Sequence, residues 1–232
     1  MTNFLFDVDG TLTDSRCSID EDFKKYFAEW VNIQRSKRNK VFLVTGSDRD
    51  KTVEQIGVSL WRHVDGCYQN CGNVYYEKGK LRYQKVWQVP DELRISITKQ
   101  IEQSRWFGKF TGNIEERIGM INISTIGRDC NAVSRREYYN WDKERGERID
   151  IAHNLSKEFP DLSFCIGGEI SIDIFPKGND KSQVLNHMEG ETCFFGDKCG
   201  VGGNDYTIYT MADKKYSVSG WKETYEILDR LL

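Results

Sequence analysis

The amino-acid sequence predicts an α/β fold in which a parallel-sheet core carries an inserted α+β domain. A unit of apolar strand, polar turn and helix occurs twice in the N-terminal part of the chain, and repeated units of this kind build parallel sheets. The pattern then changes to alternating strands and charged helices before another apolar strand follows near residue 192. We therefore expect a core of residues 1–79 and 178–232 and an inserted domain of residues 80–177.

The first unit brings two carboxylates to the end of a buried strand. Residues 4–8 are mainly apolar and lead into Asp9 and Gly10, which is typical of a strand that enters a turn. Residues 20–34 carry apolar side chains at helical spacing, and Ser18 is a candidate N-cap. Asp7 and Asp9 are therefore expected where the strand ends, ahead of the helix.

The second unit repeats this arrangement. Residues 41–44 form an apolar run that ends in Thr45-Gly46-Ser47-Asp48, and residues 51–60 have a helical pattern. Ligands of parallel sheets bind beyond the carboxyl ends of the strands. Both polar turns are therefore expected to converge on one crevice.

The inserted segment predicts a helix at 91–104, a strand at 120–124, a charged helix at 134–159 and a strand at 171–175. Pro176-Lys177-Gly178 follows and is suited to a hinge. The core then resumes with a helix at 181–188 and an apolar strand at 192–195. That strand ends in Gly196-Asp197 and brings a third polar turn to the crevice.

Composition and charge exclude several classes of protein. Hydrophobic residues make up 38% and charged residues 30%, which is typical of a folded globular chain, and a formal charge of -3 gives no overall attraction to nucleic acid or a membrane surface. The N terminus lacks the basic and apolar regions of a secretory signal or membrane anchor. The seven scattered cysteines favour reduced thiols in the cytoplasm over disulfides or a zinc site.

Asp7-Val8-Asp9-Gly10-Thr11 matches the DxDGT signature of the haloacid dehalogenase (HAD) superfamily, and the preceding strand is the context that the signature requires. The chain thus resembles an enzyme with a HAD-like, Rossmannoid core and an inserted cap domain. An isolated Asp pair is common in solvated turns, but the apolar strand and the Gly-Thr pair favour a catalytic role. By resemblance, Asp7 is the nucleophile that forms an aspartyl-phosphate, and Asp9 is the general acid and base.

Two further segments match the second and third motifs of the superfamily. Ser47 is the candidate hydroxyl that binds the transferred phosphoryl group, although a Ser-Asp pair is also an ordinary helix N-cap. Lys181 matches the lysine of the third motif, whose positive charge would offset the carboxylates and the phosphate.

The fourth motif is matched by residues 194–205 and implies a metal ion. Mg²⁺ prefers oxygen ligands and retains several waters. The resemblance assigns it to Asp7, the carbonyl of Asp9 and Asp197. Asn204 and Asp205 either complete its shell or support it from behind, and Asp205 is counted with the candidate ligands.

The inserted segment resembles the cap domain of the eukaryotic-type phosphomannomutases over most of its length. The matching phrases run from Glu115 to Arg128 and from Gly167 to Pro176. Guanidinium groups bind phosphate through paired hydrogen bonds, so an arginine cluster on a cap would hold one phosphate while Asp7 acts on another. The substrate-binding residues that the resemblance implies are Arg16, Arg117, Arg128, Arg135, Ser171 and Asp173.

Two segments depart from the family pattern. Gln69-Asn70-Cys71-Gly72 stands where the family usually carries Pro-Glu-Asn-Gly, and Lys177-Gly178-Asn179 lacks the usual tryptophan. The catalytic motifs are intact, so these changes bear on cap movement and sugar preference more than on phosphoryl transfer.

The resemblance implies an Mg²⁺-dependent mutase that interconverts mannose 6-phosphate and mannose 1-phosphate through an aspartyl-phosphate and a hexose 1,6-bisphosphate, which also acts as activator. It further implies a homodimer joined through the cap domain and a role in GDP-mannose synthesis, while the cytoplasmic location is expected from the cysteines and the N-terminal residues. The same Asp7 intermediate would serve a sugar-phosphate phosphatase, and the core motifs do not separate the two. A third alternative is an inactive sugar-phosphate-binding module, which the intact Asp7, Asp9, Lys181 and Asp197 disfavour.

Overall fold

A computed structural model describes residues 1–232 and contains two β-sheets with helices around them. In chain order, the strands are β1 (Thr2–Phe6), β2 (Lys40–Val44), β3 (Gly66–Gln69), β4 (Val74–Glu77), β5 (Lys80–Gln84), β6 (Ile114–Arg117), β7 (Met120–Ser124), β8 (Leu162–Gly167), β9 (Ser171–Pro176), β10 (Glu191–Gly196) and β11 (Lys214–Ser217). The helices are α1 (Glu21–Ser36), α2 (Arg49–His63), α3 (Asp91–Glu102), α4 (Ala132–Arg145), α5 (Glu147–Glu158), α6 (Tyr206–Met211) and α7 (Trp221–Arg230), with 3₁₀ helices at Asn70–Gly72 and Lys181–His187. None of these helices combines the length and apolar character needed to cross a membrane.

The larger sheet has seven strands in the order β11-β10-β1-β2-β3-β4-β5. Strand β1 lies between β10 and β2 and is parallel to both. Strand β3 is parallel to β2, and β11 is parallel to β10. Strand β4 is antiparallel to β3, and β5 is antiparallel to β4. The carboxyl ends of β1, β2 and β10 therefore meet at one edge. The predicted α/β class with a parallel-sheet core is confirmed.

Helix α1 covers one face of this sheet with the apolar stripe that its sequence predicts. Its Phe27 and Trp30 pack against Phe4 and Phe6 of β1, and Phe23 is buried beside Phe27. Alternation along a strand sends its neighbours to the opposite face, where Leu5 packs in a second cluster with residues of β2, β10 and α6. Burial on both faces explains why residues 4–6 of β1 are all apolar.

The smaller sheet has four antiparallel strands in the order β6-β7-β9-β8. One of its faces packs on α3 and α5 through the isoleucines of β7 and β9. Asn122 of β7 is paired in register with Asp173 of β9. Since strand neighbours alternate between faces, these two polar side chains lie on the face away from the helices.

The structure corrects four details of the sequence-based description. The N-cap of α1 is Asp20, whose carboxylate accepts from the N–H groups of Asp22 and Phe23, and not the expected Ser18. The expected helix at 134–159 is two helices, because Gly146 adopts a left-handed conformation (φ 66°) that ends α4. The helix expected at 181–188 is a 3₁₀ helix. Strand β5 pairs with β4 in the larger sheet, so residues 80–84 belong to that sheet, although they were expected in the inserted domain. The remaining division into domains stays a prediction.

Candidate active site

A polar cavity of about 240 Å³ lies beyond the carboxyl ends of β1, β2 and β10, between the two sheets. Tyr139 is the one hydrophobic residue of its lining. Ten of the predicted site residues line this cavity, namely Asp7, Asp9, Arg16, Ser47, Arg117, Arg128, Arg135, Ser171, Asp173 and Asp197. Lys181 and Asp205 are fully buried behind its wall.

Asp7 follows β1 directly and is buried, and its backbone N–H donates to the carbonyl of Phe195 on β10 at 2.9 Å. The ammonium of Lys181 lies 2.7 Å from a carboxylate oxygen of Asp7 and 2.7 Å from one of Asp205. Burial alone would lower the pKa of Lys181, but the two carboxylates raise it well above its usual value. Lys181 is therefore a fixed positive charge beside Asp7.

The acidic side of the cavity consists of Asp7 and Asp197 with Asp205 behind them. It carries more negative charge than Lys181 and Lys198 balance. Burial raises the pKa of Asp7, the carboxylates of Asp205 and Asp197 raise it further, and Lys181 opposes them. Burial and Asp205 likewise raise the pKa of Asp197, although the Lys198 ammonium lies 2.9 Å from its carboxylate. A bound cation would relieve this excess.

The donor set on this side fits Mg²⁺. Carboxylate oxygens of Asp7, Asp197 and Asp205 lie within 4.8 Å of one another, and oxygen is the ligand atom that Mg²⁺ prefers. Gly10 keeps the space open, because a Cβ at this position would lie 2.5 Å from an oxygen of Asp197. Asp205 accepts hydrogen bonds on both oxygens, from Lys181 and from the backbone of Lys198, which favours support from behind over direct ligation.

Asp9 is held at the cavity by two donors. Its Oδ1 accepts a hydrogen bond from the backbone N–H of Arg16 at 2.8 Å and another from the Gln55 amide at 2.7 Å. Gln55 lies on α2 and belongs to no motif that we recognised in the sequence. Only the packing of α2 against the turn after β1 shows its contact with Asp9.

The turn after β2 presents Ser47 to the cavity. Its backbone N–H donates to the hydroxyl of Thr45 at 3.1 Å, and its carbonyl accepts from the N–H of Asn70. The next residue, Asp48, caps α2 by accepting from the N–H of Lys51 at 2.9 Å. Ser47 thus stands next to a helix N-terminus, an arrangement that suits an anion.

Five arginines line the cavity: the four predicted ones, Arg16, Arg117, Arg128 and Arg135, and also Arg136. Burial and the neighbouring Arg117 lower the pKa of Arg128 to about 10, and burial and Arg135 lower that of Arg16. These shifts show positive charge crowded together in a partly desolvated place. An anionic ligand would stabilise it.

Glu115 and the main chain hold two of these arginines. Nε of Arg117 lies 2.8 Å from one carboxylate oxygen of Glu115. Nε of Arg128 lies 2.5 Å from the other oxygen, and this second ion pair lacks the alignment of a hydrogen bond. Arg117 also donates to the carbonyl of Gly46 at 2.7 Å, which joins the smaller sheet to the turn after β2.

The smaller sheet adds a polar network that the sequence reveals only in part. Asn122 donates to one oxygen of Asp173 at 2.5 Å, and Asn204 donates to the other at 3.2 Å. Arg128 in turn donates to the side-chain oxygen of Asn122. Asp173 was expected at the site, but Asn122 was not, and its one signal is a polar residue within the isoleucine alternation of β7.

Sequence comparison identifies the relatives of the chain. The profile described as eukaryotic phosphomannomutase matches residues 27–232. A phosphomannomutase of Saccharomyces cerevisiae is 38% identical over 250 aligned positions, which cover 99% of this chain and 94% of the yeast protein. A phosphomannomutase of Encephalitozoon cuniculi is 37% identical and covers 100% and 93% of the two chains.

Comparison with solved structures supports the same placement at the level of the fold. A protein from Streptococcus mutans superposes with a TM-score of 0.66 at 14% identity, covering 99% of this chain and 98% of the other. A sugar phosphatase of HAD subclass IIB superposes with a TM-score of 0.60 at 17% identity, covering 98% and 91%. The fold is thus HAD-like, and the extent of the sequence match shows that the chain belongs to the eukaryotic phosphomannomutase family.

Proposed function

We propose that the protein is an Mg²⁺-dependent phosphomannomutase that interconverts mannose 6-phosphate and mannose 1-phosphate and so supplies GDP-mannose synthesis. One observation carries this proposal. A single cavity is lined by Asp7 and Asp197 together with Arg16, Arg117, Arg128 and Arg135. A sugar that carries phosphate at both ends would place one phosphate at Asp7 and the other among the arginines.

Asp7 is the nucleophile of the proposed reaction. Its carboxylate attacks the phosphorus of a bound phosphate ester, a P–O bond to Asp7 forms, and the P–O bond to the donor breaks. Asp9 protonates the departing oxygen and takes a proton from the hydroxyl that attacks in the return step. Gln55 and the backbone of Arg16 hold Asp9 in place for both transfers.

The remaining residues bind and orient the phosphates. Lys181 and the turn at Ser47 stabilise the charge on the transferring phosphoryl group. Asp7, the carbonyl of Asp9 and Asp197 would hold Mg²⁺, which supplies further charge neutralisation when bound. The arginines hold the distal phosphate, so that the hexose bisphosphate can be bound with either end at Asp7.

The polar network at Asp173 is suited to sugar hydroxyls. Asn122 and Asn204 fix the two oxygens of Asp173, and Ser171 lies two residues away on β9. Carboxylate and hydroxyl groups accept hydrogen bonds from sugar hydroxyls while the arginines bind phosphate. This arrangement supports a sugar phosphate as the substrate class.

The alternative is a sugar-phosphate phosphatase in which water attacks the aspartyl-phosphate. The arginines that line the cavity favour the mutase, because hydrolysis of a monophosphate needs no second phosphate site. A binding module without catalysis is disfavoured, since the buried Lys181 and the raised pKa of Asp7 are typical of a tuned active site.

The deciding experiment follows two products at once. Purified protein is incubated with Mg²⁺, mannose 1-phosphate and a trace of hexose 1,6-bisphosphate, and both mannose 6-phosphate and free phosphate are measured, with Asp7→Asn as the control. Bisphosphate-dependent mannose 6-phosphate in excess of free phosphate supports the mutase. Phosphate release alone would make the protein a phosphatase, and neither product would favour another substrate or the binding module.

We further propose that the protein is a cytoplasmic homodimer joined through the inserted domain. All seven cysteines are free thiols, in keeping with a reducing compartment. The inserted domain exposes Ile95 and Phe107, which are 69% and 100% exposed, and a second copy would cover apolar side chains of this kind. Sedimentation equilibrium of the wild type beside Ile95→Glu and Phe107→Glu variants tests the dimer, and a monomeric wild type would overturn it.

A further inference from the structure

The inserted domain contains a buried ion pair outside the residues discussed so far. Arg148 lies in the first turn of α5 and Asp142 in the last turn of α4, and their side chains are 4% and 6% exposed. Nε of Arg148 donates to one oxygen of Asp142 at 2.7 Å, and its backbone N–H donates to the other at 2.9 Å. Asp142 therefore fixes both the position and the direction of Arg148.

The guanidinium of Arg148 reaches from α5 to the connection between β8 and β9. Its Nη1 lies 3.1 Å from the carbonyl oxygen of Gly167, 3.3 Å from that of Gly168 and 3.2 Å from that of Ser171. These carbonyls belong to residues 167–171, which we name the β8–β9 turn. One side chain thus holds both ends of this turn.

The β8–β9 turn forms part of the cavity wall and contains two adjacent glycines. Gly167, Gly168, Glu169 and Ser171 line the cavity. Gly167 approaches Asp173 so closely that a Cβ would lie 2.6 Å from its carboxylate, and Gly168 has a φ of 46°. Two adjacent glycines satisfy this geometry, although glycine loses more conformational freedom on folding than other residues. The Gly167–Ser171 strand pair and a hydrogen bond from the Ser171 hydroxyl to the Gly167 carbonyl at 3.1 Å close the turn, and the contacts of Arg148 add to this support.

A buried ion pair is a weak source of stability, because replacing both charges by apolar side chains is often neutral. The ion pair here orients the guanidinium of Arg148, since a planar guanidinium donates hydrogen bonds in fixed directions. We propose that Arg148, held by Asp142, is a positioning residue that fixes the β8–β9 turn for binding the sugar phosphate. This inference rests on the proposed function for the identity of the ligand, but the ordering of the turn is independent of it.

The test compares Arg148→Lys with Arg145→Lys, a matched change at an exposed position three residues earlier. Lysine keeps the charge beside Asp142 but lacks the fork that reaches the turn. Misplacement of a binding group by about 1 Å can cost up to roughly 100-fold. We expect Arg148→Lys to raise KM for mannose 1-phosphate by about 10- to 100-fold with kcat within about twofold, and Arg145→Lys to match the wild type.

Amide hydrogen exchange provides a readout that does not depend on activity. Exchange at residues 167–171 should be faster in Arg148→Lys while α4 and α5 keep their protection. Unchanged KM or unchanged exchange in the turn overturns the proposal. Faster exchange throughout α4 and α5 also overturns it, because the residue would then be structural only.

A second variant and a second readout cover the cases in which Arg148→Lys does not fold or the wild type has no mutase activity. If Arg148→Lys does not fold, the double variant Asp142→Leu with Arg148→Met removes both charges and leaves neither unpaired, and the same measurements apply. If the wild type converts no mannose phosphate, the proposed function fails, and the exchange rates alone decide whether Arg148 orders the turn.

Discussion

Replacement of Lys181 by methionine tests the electrostatic account of the acidic side of the cavity. Lys181 is 0% exposed and lies 2.7 Å from carboxylate oxygens of both Asp7 and Asp205. Methionine has a similar length and no charge, so the variant leaves two buried carboxylates without their cation. Removing one partner of a buried pair destabilises a protein by about 3–5 kcal/mol. For a chain of this size, that loss lowers Tm by about 6–20 °C.

The loss should depend on pH in a definite direction. Burial and neighbouring carboxylates raise the pKa of Asp7 above its usual 3.8, and Lys181 opposes the shift. The folded protein therefore retains a proton that the unfolded chain releases above pH 3.8, so stability falls as pH rises between the two pKa values. Without Lys181 the pKa of Asp7 is higher still. The variant should lose more stability at pH 8 than at pH 5, where a proton replaces the missing charge.

Thermal unfolding followed by circular dichroism, in EDTA at pH 5 and pH 8, measures the effect. Lys177→Met is the matched control, because Lys177 is exposed and its side chain makes no ion pair. The reasoning is refuted if Lys181→Met and the control unfold at the same temperature at pH 8. It is also refuted if the variant loses more stability at pH 5.

Three further outcomes are expected. Gly10→Ala should weaken Mg²⁺ binding by at least about tenfold, since a Cβ meets Asp197 at 2.5 Å and φ is +79°, as measured by the Mg²⁺ dependence of Tm. Arg135→Ala should raise KM for mannose 1-phosphate by about 10- to 100-fold, the equivalent of one charged hydrogen bond, in steady-state kinetics. The gap in Tm between Mg²⁺ and EDTA should widen from pH 5 to pH 8, because the raised pKa values of Asp7 and Asp197 make metal compete with protons.

The sequence predicted those parts of the site that depend on strand ends. Asp7 and Asp197 follow apolar runs, and parallel strands place their carboxyl ends together, so their proximity could be inferred before any coordinates. The strands expected at 120–124 and 171–175 are likewise present as β7 and β9. In these cases local patterning and the global fold require the same arrangement.

Other parts of the site depend on contacts between segments that no local pattern connects. Gln55 is 46 positions from Asp9, and Arg148 is 19 positions from Gly167. A glutamine or arginine on a helix most often has no such partner, so the residue type alone carries little information. The break at Gly146 was missed for a related reason: a glycine within a helical pattern is tolerated at a modest cost, and only the left-handed conformation shows that it ends α4.

The charges that line the cavity form two clusters of opposite sign. Carboxylates crowd around Asp7, where burial raises the pKa values of Asp7 and Asp197, and guanidinium groups crowd around Arg128, whose pKa falls to about 10. Each cluster is less stable without a ligand of opposite charge, because its like charges repel one another in a partly desolvated place. Direct ion pairs between the carboxylates and the guanidinium groups would relieve the repulsion in both clusters but would close the cavity. The proposed ligands, a bisphosphorylated sugar and a divalent cation, would neutralise both clusters at once while leaving the cavity open.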